Sequence, residues 1–510
     1  MNKAAKLIYS AVFFGICALP LALYPKKMNT REVEKHALAE KPKLVQKGKI
    51  NNSFSSDFDS WFSDHLPYRP QLLTAADAVR SKVFGSSAAG VVTGKDGFIF
   101  SDTTLPSYLG TSTINDRELN AIAITLSLMQ ENTLAKGSGF TFVCAPNKNT
   151  VYPEKMPANY RKAEQTDLER LMPVLDSFGV NHTDLIGTLT SAKQSGLDVY
   201  HKRDTHWNYL GAYYGYDAIM SSLGREHKTY EDQSDYTLTR DWRGDIDKNL
   251  YPTGGGELDW QYHFNRTYDD FAFTRPPGLT DTQAALENFM SDKEDNDENF
   301  SSHKSGEPTG HSLYMVRDSF GRALLPYMID NYDNATFVRT NLPNLMMVPM
   351  NGDFVYEIVE RNLERVISTA PNMKAPLRDT DLSGAALSEG GNTLFIEDLA
   401  YGTRVYGLLS EDMLSDDSRI YIRLTGESGE YLFEAFPIAE SAELEKQGIK
   451  DIPADKGFSM FLDTSLLSEG VYDVEVLTSS PEKTMATGVL AEYTHTMEKQ
   501  EENENENNND

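Results

Sequence analysis

Leu313-Tyr314-Met315-Val316-Arg317-Asp318-Ser319-Phe320-Gly321 is the stretch that decides how this chain folds. Four consecutive apolar residues open it and predict a short buried strand. The run that follows, residues 320–328, has helical spacing and predicts a helix. A strand that feeds straight into a helix is half of a βαβ unit.

Outward from this point the same alternation recurs. Residues 115–134, 167–178, 209–223 and 356–367 carry helical periodicity, and Asn208 is placed to cap the third of these helices. Residues 140–144, 180–185 and 335–338 are short apolar runs that predict strands. Strands alternating with helices predict an α/β domain, with a mainly parallel sheet covered on both faces. Upstream, the segment 91–100 has apolar runs around Gly94-Lys95-Asp96-Gly97, which is a hairpin signal.

After residue 375 the character changes to seven short alternating strands separated by turn residues, which predicts a C-terminal β-sandwich over 385–495. Two stretches belong to neither unit. Residues 291–310, SDKEDNDENFSSHKSGEPTG, read as a disordered acidic insertion, and residues 496–510 as a disordered acidic tail. The rest divides into a polar stalk over 28–53 and an α/β domain over 54–375.

At the N-terminus Lys3 and Lys6 precede an apolar run over 7–24, and Lys26 and Lys27 follow it. At 1.5 Å per residue the run spans about 27 Å, enough for a bilayer core. No clear small-residue cleavage site follows. Residues 1–27 are therefore expected to be an uncleaved signal anchor, with the body outside the cell membrane on a single-pass helix; secretion after cleavage is the alternative. The formal charge of −28 argues against nucleic acid as a partner. Of the two cysteines, Cys17 lies in the apolar run and Cys144 in a predicted strand, so no disulfide between them is expected.

Two segments can carry chemistry. A serine at position 319 lies where open α/β sheets place their ligands, at the carboxyl edge beside a helix start. Amide donors there favour an oxyanion. Equally, a serine there can simply cap the helix. A serine hydroxyl needs a base, and a base needs an anion to orient it. His201-Lys202-Arg203-Asp204-Thr205-His206-Trp207 supplies both: at i and i+2 in an extended loop, Asp204 and His206 point the same way. An ordinary loop histidine satisfies that spacing too. His201, Asp204, His206 and Asp318 also form a rival metal-ligand set, but neither HExxH nor CxxC spacing supports it.

Taken together, the two segments resemble the SGNH-hydrolase-like proteins of alginate O-acetylation (the AlgX/AlgJ type) and their DHHW relatives. Asp204, His206 and Trp207 match the family's Asp-x-His-Trp box, with Thr205 in place of its middle histidine. Asp318-Ser319-Phe320 resembles its serine box, with Arg317 where a glycine is usual. The segments 62–69, 94–100, 146–154 and 244–246 resemble further boxes in the same order, and the likeness covers about residues 50–370. It implies an SGNH-like (flavodoxin-like) three-layer fold and catalysis by Ser319, His206 and Asp204 without a cofactor. The amides of Ser319 or Phe320, with Asn147, are the expected oxyanion donors, and Arg317, Tyr152, Trp207 and Tyr327 the candidate substrate contacts. The implied partners are an exported polysaccharide and a membrane-bound O-acyltransferase that relays acetyl groups. A carbohydrate acetylesterase with the same triad and a non-catalytic surface-binding protein are the alternatives.

Overall fold

The computed structural model describes Phe14 and residues 39–46, 49–51, 53–65, 90–112, 114–230, 236–251, 256–264, 270–274, 299–399 and 402–496. The expected anchor over 1–27, apart from Phe14, the first part of the stalk, and the tail beyond 496 lie outside these residues. Among the described residues no helix is long and apolar enough to cross a membrane.

The central sheet has six strands: β1 (Gly139–Ala145), β2 (Phe271–Thr274), β3 (Phe300–Lys304), β4 (Ser312–Arg317), β5 (Asn334–Arg339) and β6 (Asp353–Val359), in the order β1-β6-β4-β5-β3-β2. β1, β6, β4 and β5 run parallel. β3 and β2 continue the sheet antiparallel. Met315 in β4 sits level with Val355 in β6 and Phe337 in β5.

Side-chain alternation sends one set of residues to each face. Phe140, Phe142, Cys144, Tyr314, Val316, Phe354, Tyr356 and Ile358 pack with helices α1 (Asp116–Ala135) and α2 (Asp167–Ser177). Val143, Ala145, Met315, Val355 and Val359 face α3 (Leu185–Gln194) and α4 (Tyr209–Ser222). A sheet buried on both faces has continuous apolar strands, which is why β4 was so legible. α1 and α2 begin with capping boxes at Asn115 and Thr166, and the Asn208 side chain accepts the Gly211 N–H at 2.9 Å to start α4. Val91–Thr93 and Ile99–Ser101 form the expected hairpin, with Asp96 and Gly97 at positive φ in its turn.

Four expectations are corrected. Residues 180–185 do not form a strand; His182 makes a single bridge to Phe142, and α3 starts at Leu185. Tyr356–Val359 belong to β6 rather than to a helix, because their alternating bulky side chains fill both faces between β1 and β4; only the 3₁₀ turn Glu360–Ile367 is helical. The helix expected over 320–328 is broken into a 3₁₀ segment, Phe320–Leu324, and one α-turn, Leu325–Met328, with Pro326 at its start. The insertion over 291–310 is not wholly disordered. Its residues 300–304 are β3, pinned by Phe300, which is fully buried against Phe273 and Phe337 at ring distances of 5.2 and 6.3 Å; residues 291–298 lie outside the described set.

Beyond residue 385 a five-stranded and a three-stranded sheet face each other over Val405, Met460, Ile422, Phe433, Tyr472 and Val474. This layer is tied to the α/β part by apolar and charged contacts. Phe436 and Ile438 join the core under α1, and Arg378 bridges Glu131 and Glu434.

Phe300 tests the reassignment of the insertion. Phe300→Ala is expected to destabilise the protein by about 3–5 kcal/mol, the usual result of emptying a buried aromatic site. A urea titration that shows no shift in midpoint would mean that β3 contributes nothing.

Candidate active site

The loops after β1, β4 and β6 leave the sheet at the same carboxyl edge, and the loop between α3 and α4 folds over it. Ser319 Oγ lies 2.9 Å from His206 Nε2, although the two residues are 113 positions apart. His206 Nδ1 lies 2.7 Å from Asp204 Oδ1, which also accepts the His206 backbone N–H at 3.0 Å. Asp204 Oδ2 accepts Trp242 Nε1–H at 2.9 Å and the Asp245 N–H at 3.0 Å. Asp204 is 1% exposed. Burial by itself would push this carboxyl up, yet the hydrogen bond and charge of His206 hold it well below the usual carboxylate range.

The loop that presents Asp204 and His206 is closed on itself. Tyr200 bridges Trp207, and Asn208 N–H donates to Val199 O. From below, the buried Lys148 ammonium donates to the carbonyls of His201, Lys202 and Asp204 at 3.2, 3.0 and 2.6 Å. Burial pulls this lysine down to about 8. Asp245 takes the Thr205 N–H at 2.7 Å. Next to it, Gly244 approaches so closely that a Cβ there would sit 2.0 Å from the Arg203 carbonyl oxygen. Asp204, His206 and Asp245 bring possible metal-ligand atoms within 4.8 Å of one another. Those carboxylates and the His206 Nδ1 are, however, already engaged with each other and with Thr205.

On the serine side, Asp318 is the organiser. Its Oδ1 accepts the Phe320 N–H at 2.8 Å and its Oδ2 the Val359 N–H at 2.9 Å. Glu357 Oε2 in turn accepts the Asp318 N–H at 3.0 Å. A Cβ on Gly321 would lie 2.6 Å from Arg317 Cβ and 2.7 Å from Glu357 Oε2, so the chain turns there only with glycine. Ser319 opens onto a polar cleft of about 230 Å³, whose walls include Arg317, Arg339, Asn362 and Arg365. Burial and the neighbouring Arg339 pull the Arg317 guanidinium down to about 10, so it stays charged at neutral pH.

Several expected roles are reassigned by these contacts. The Phe320 amide is taken by Asp318 and is not an oxyanion donor; its ring packs 4.8 Å from His206 instead. Because the helix after Ser319 is a short 3₁₀ segment, the dipole argument loses its force there. Trp207 is buried, and its indole N–H donates to Phe320 O at 3.1 Å, so it anchors the histidine loop rather than meeting a ligand. Tyr152 and Tyr327 are equally buried, with hydroxyls bonded to Val199 N and Tyr209 O. Asn147 is buried at the end of β1, with both polar atoms of its side chain unpaired among the described residues. β6 separates its strand from that of Ser319. Arg317 does line the cleft.

Sequence reasoning missed Trp242, Lys148, Glu357 and Glu360. Only the neighbouring Gly244-Asp245 pair hinted at Trp242. Buried Glu360 accepts from Asn147 N, Thr150 Oγ1 and Ser107 Oγ, and fixes the loop after β1.

The three-layer domain with this serine–histidine–aspartate contact is of the SGNH-hydrolase-like class. Residues 91–254 match the family model "SGNH hydrolase-like domain, acetyltransferase AlgX", so this stretch is similar to the AlgX/AlgJ type. A "Probable alginate O-acetylase AlgJ" of Pseudomonas syringae pv. tomato is 24% identical over 216 residues, 42% of this chain and 51% of that protein. The chain thus spans about half the length of the curated relatives it matches. Among solved structures, a DHHW family protein from Eubacterium siraeum aligns with a TM-score of 0.40 at 16% identity, over 55% of this chain and 94% of that one. Bacillus cereus PatB1 aligns with a TM-score of 0.41 at 15% identity, over 54% and 96%.

The environment of Glu357 gives a pH test. Burial, then the charge of Asp318, raises its carboxyl well above 4.5. The folded state therefore holds a proton that the unfolded chain releases near 4.5, and the stability this gives is full below that pH and falls as pH rises towards the folded value. Glu357→Gln cannot titrate. Its urea midpoint is expected to lose less than that of the wild type between about pH 4.5 and neutrality; parallel curves would show that Glu357 is not raised.

Proposed function

We propose that this protein is an extracytoplasmic polysaccharide O-acetyltransferase that works through an acetyl-Ser319 intermediate. The observation that supports it best is the contact at 2.9 Å between Ser319 and His206, continued at 2.7 Å to a buried Asp204. His206 Nε2 takes the Ser319 proton as Oγ attacks the acetyl carbonyl, and returns it to the departing donor oxygen. A sugar hydroxyl then loses its proton to the same nitrogen, attacks the acyl-serine, and leaves Oγ to be reprotonated. Asp204 holds the ring in the required tautomer and balances the transient imidazolium. The guanidinium groups in the cleft favour the negative charge that develops on the carbonyl oxygen. Asn147, buried one strand away, does not line this cleft.

The polysaccharide acceptor follows from the relatives that are named alginate O-acetylases. The apolar run over 7–24 would hold the body at the outer face of the membrane. There a membrane-bound O-acyltransferase would hand over the acetyl group.

The test uses purified protein, p-nitrophenyl acetate and an oligosaccharide acceptor. Wild type is expected to gain the mass of one acetyl group at Ser319, and Ser319→Ala and His206→Ala to lose turnover by about 10⁴-fold or more. Equal, slow turnover by wild type and Ser319→Ala removes the enzyme reading. Acetyl release to water with no acetylated oligosaccharide replaces the transferase by an esterase.

A further inference from the structure

A second cavity, of about 200 Å³, lies behind the histidine loop, away from the serine cleft. Its walls include Leu238, Trp260, Tyr262, Asp198, Asp259 and His201. The chain has four tryptophans: Trp61, Trp207, Trp242 and Trp260. Trp207 is buried and Trp242 holds Asp204, whereas Trp260 stands 54% exposed on this wall, beside Leu238 at 43%. An exposed indole is a large apolar surface left uncovered, and its negative face suits the weakly positive C–H groups of a pyranose. Around it stand two carboxylates, Asp198 and Asp259. Asp198 is open to solvent, and Asp259 spends Oδ2 on the Arg203 N–H at 2.7 Å. Carboxylates accept through two oxygens each, as sugar hydroxyls require. Lys202 also reaches this wall, drawn to within 3.8 Å of Asp198. At the bottom His201 is buried, with its Nδ1 unpaired among the described residues, and burial pulls the ring down to about 4, so it is neutral and able to hydrogen-bond. The volume is below the roughly 300–1,000 Å³ of pockets for drug-sized ligands, which suits a single ring.

We infer that this cavity is a subsite for one neutral, hydroxyl-rich pyranose unit, with Trp260 as its stacking platform. The wall carries two carboxylates, Asp198 and Asp259, against the single cation Lys202, which disfavours a uronate in the same place. The subsite rests on the proposed glycan-modifying function and names where a second residue of the acceptor would be held. The loop that lines it at His201 also presents His206 to Ser319, so a glycan seated here is positioned by the same rigid segment as the base.

The test separates binding from chemistry. Full-length Ser319→Ala, which cannot form the acyl-enzyme, is titrated with hexasaccharides of β1,4-linked glucose, N-acetylglucosamine and mannose, and with polymannuronate, by saturation-transfer NMR. At least one neutral hexasaccharide is expected to bind. Adding Trp260→Ala should weaken it about tenfold or more, the scale of a lost aromatic stack with its buried area. Asp198→Asn should weaken it too, and Leu387→Ala, 73% exposed in the C-terminal layer, should not. Unchanged binding in Trp260→Ala, no binding by any neutral oligosaccharide, or a Trp260-dependent preference for polymannuronate would each overturn the assignment. None of these outcomes bears on acetyl-Ser319 formation, which is read separately in the Ser319-intact protein.

Discussion

A carboxylate held away from water is the constraint around which this site is built. An unpaired buried charge is costly by several kcal/mol, so Asp204 needs donors from every direction. It has four: the His206 N–H, His206 Nδ1, Trp242 Nε1 and the Asp245 N–H. Two of these come from the segment after residue 236, which must therefore wrap over the histidine loop. Its approach is close enough that Gly244 cannot carry a side chain. Lys148 completes the enclosure from the β1 side by taking the carbonyls that the tight loop leaves pointing inward.

The serine half obeys a similar logic with charges of both signs. Asp318 ties the turn after β4 to the end of β6, and Glu357 backs it from within the sheet. Burial first, and then the charge of Asp318, raises the carboxyl of Glu357. Arg317 donates to Asp318 O at 2.9 Å. It adds positive charge to the wall of the cleft beside the Ser319–His206 contact.

What could be read in the sequence was whatever has a period or a cap. β4 and β1 are continuous apolar runs, and Asn115, Thr166 and Asn208 announce their helices. The contact of Ser319 with His206 followed from two local signals that a distant fold had to join. Other features lack any local mark. β6 carries Tyr356, Glu357 and Val359 at spacings that fit a helix as well as a strand, and only its place between β1 and β4 decides. β3 hides in acidic surroundings because a single residue, Phe300, anchors it. Lys148 and Glu360 look like surface charges until the sheet edge buries them. Trp207 and Tyr327 look like platforms for sugar, but a conspicuous aromatic is informative only once its exposure is known; they are buried, and Trp260 is exposed.

The loop from His201 to His206 joins these observations. Both of its ends are locked: His201 N–H and His206 O meet across it, Trp207 anchors its exit to Phe320 O, and Lys148 holds its carbonyls. Its two histidines have opposite settings. His206 is partly exposed and set against a buried anion; His201 is buried, neutral and stacked at 4.9 Å on the same Trp242 that donates to Asp204. A base held by backbone bonds and buried partners needs little reorganisation when the serine attacks a carbonyl held in the cleft. A ligand that touches His201 meets the other end of that rigid segment.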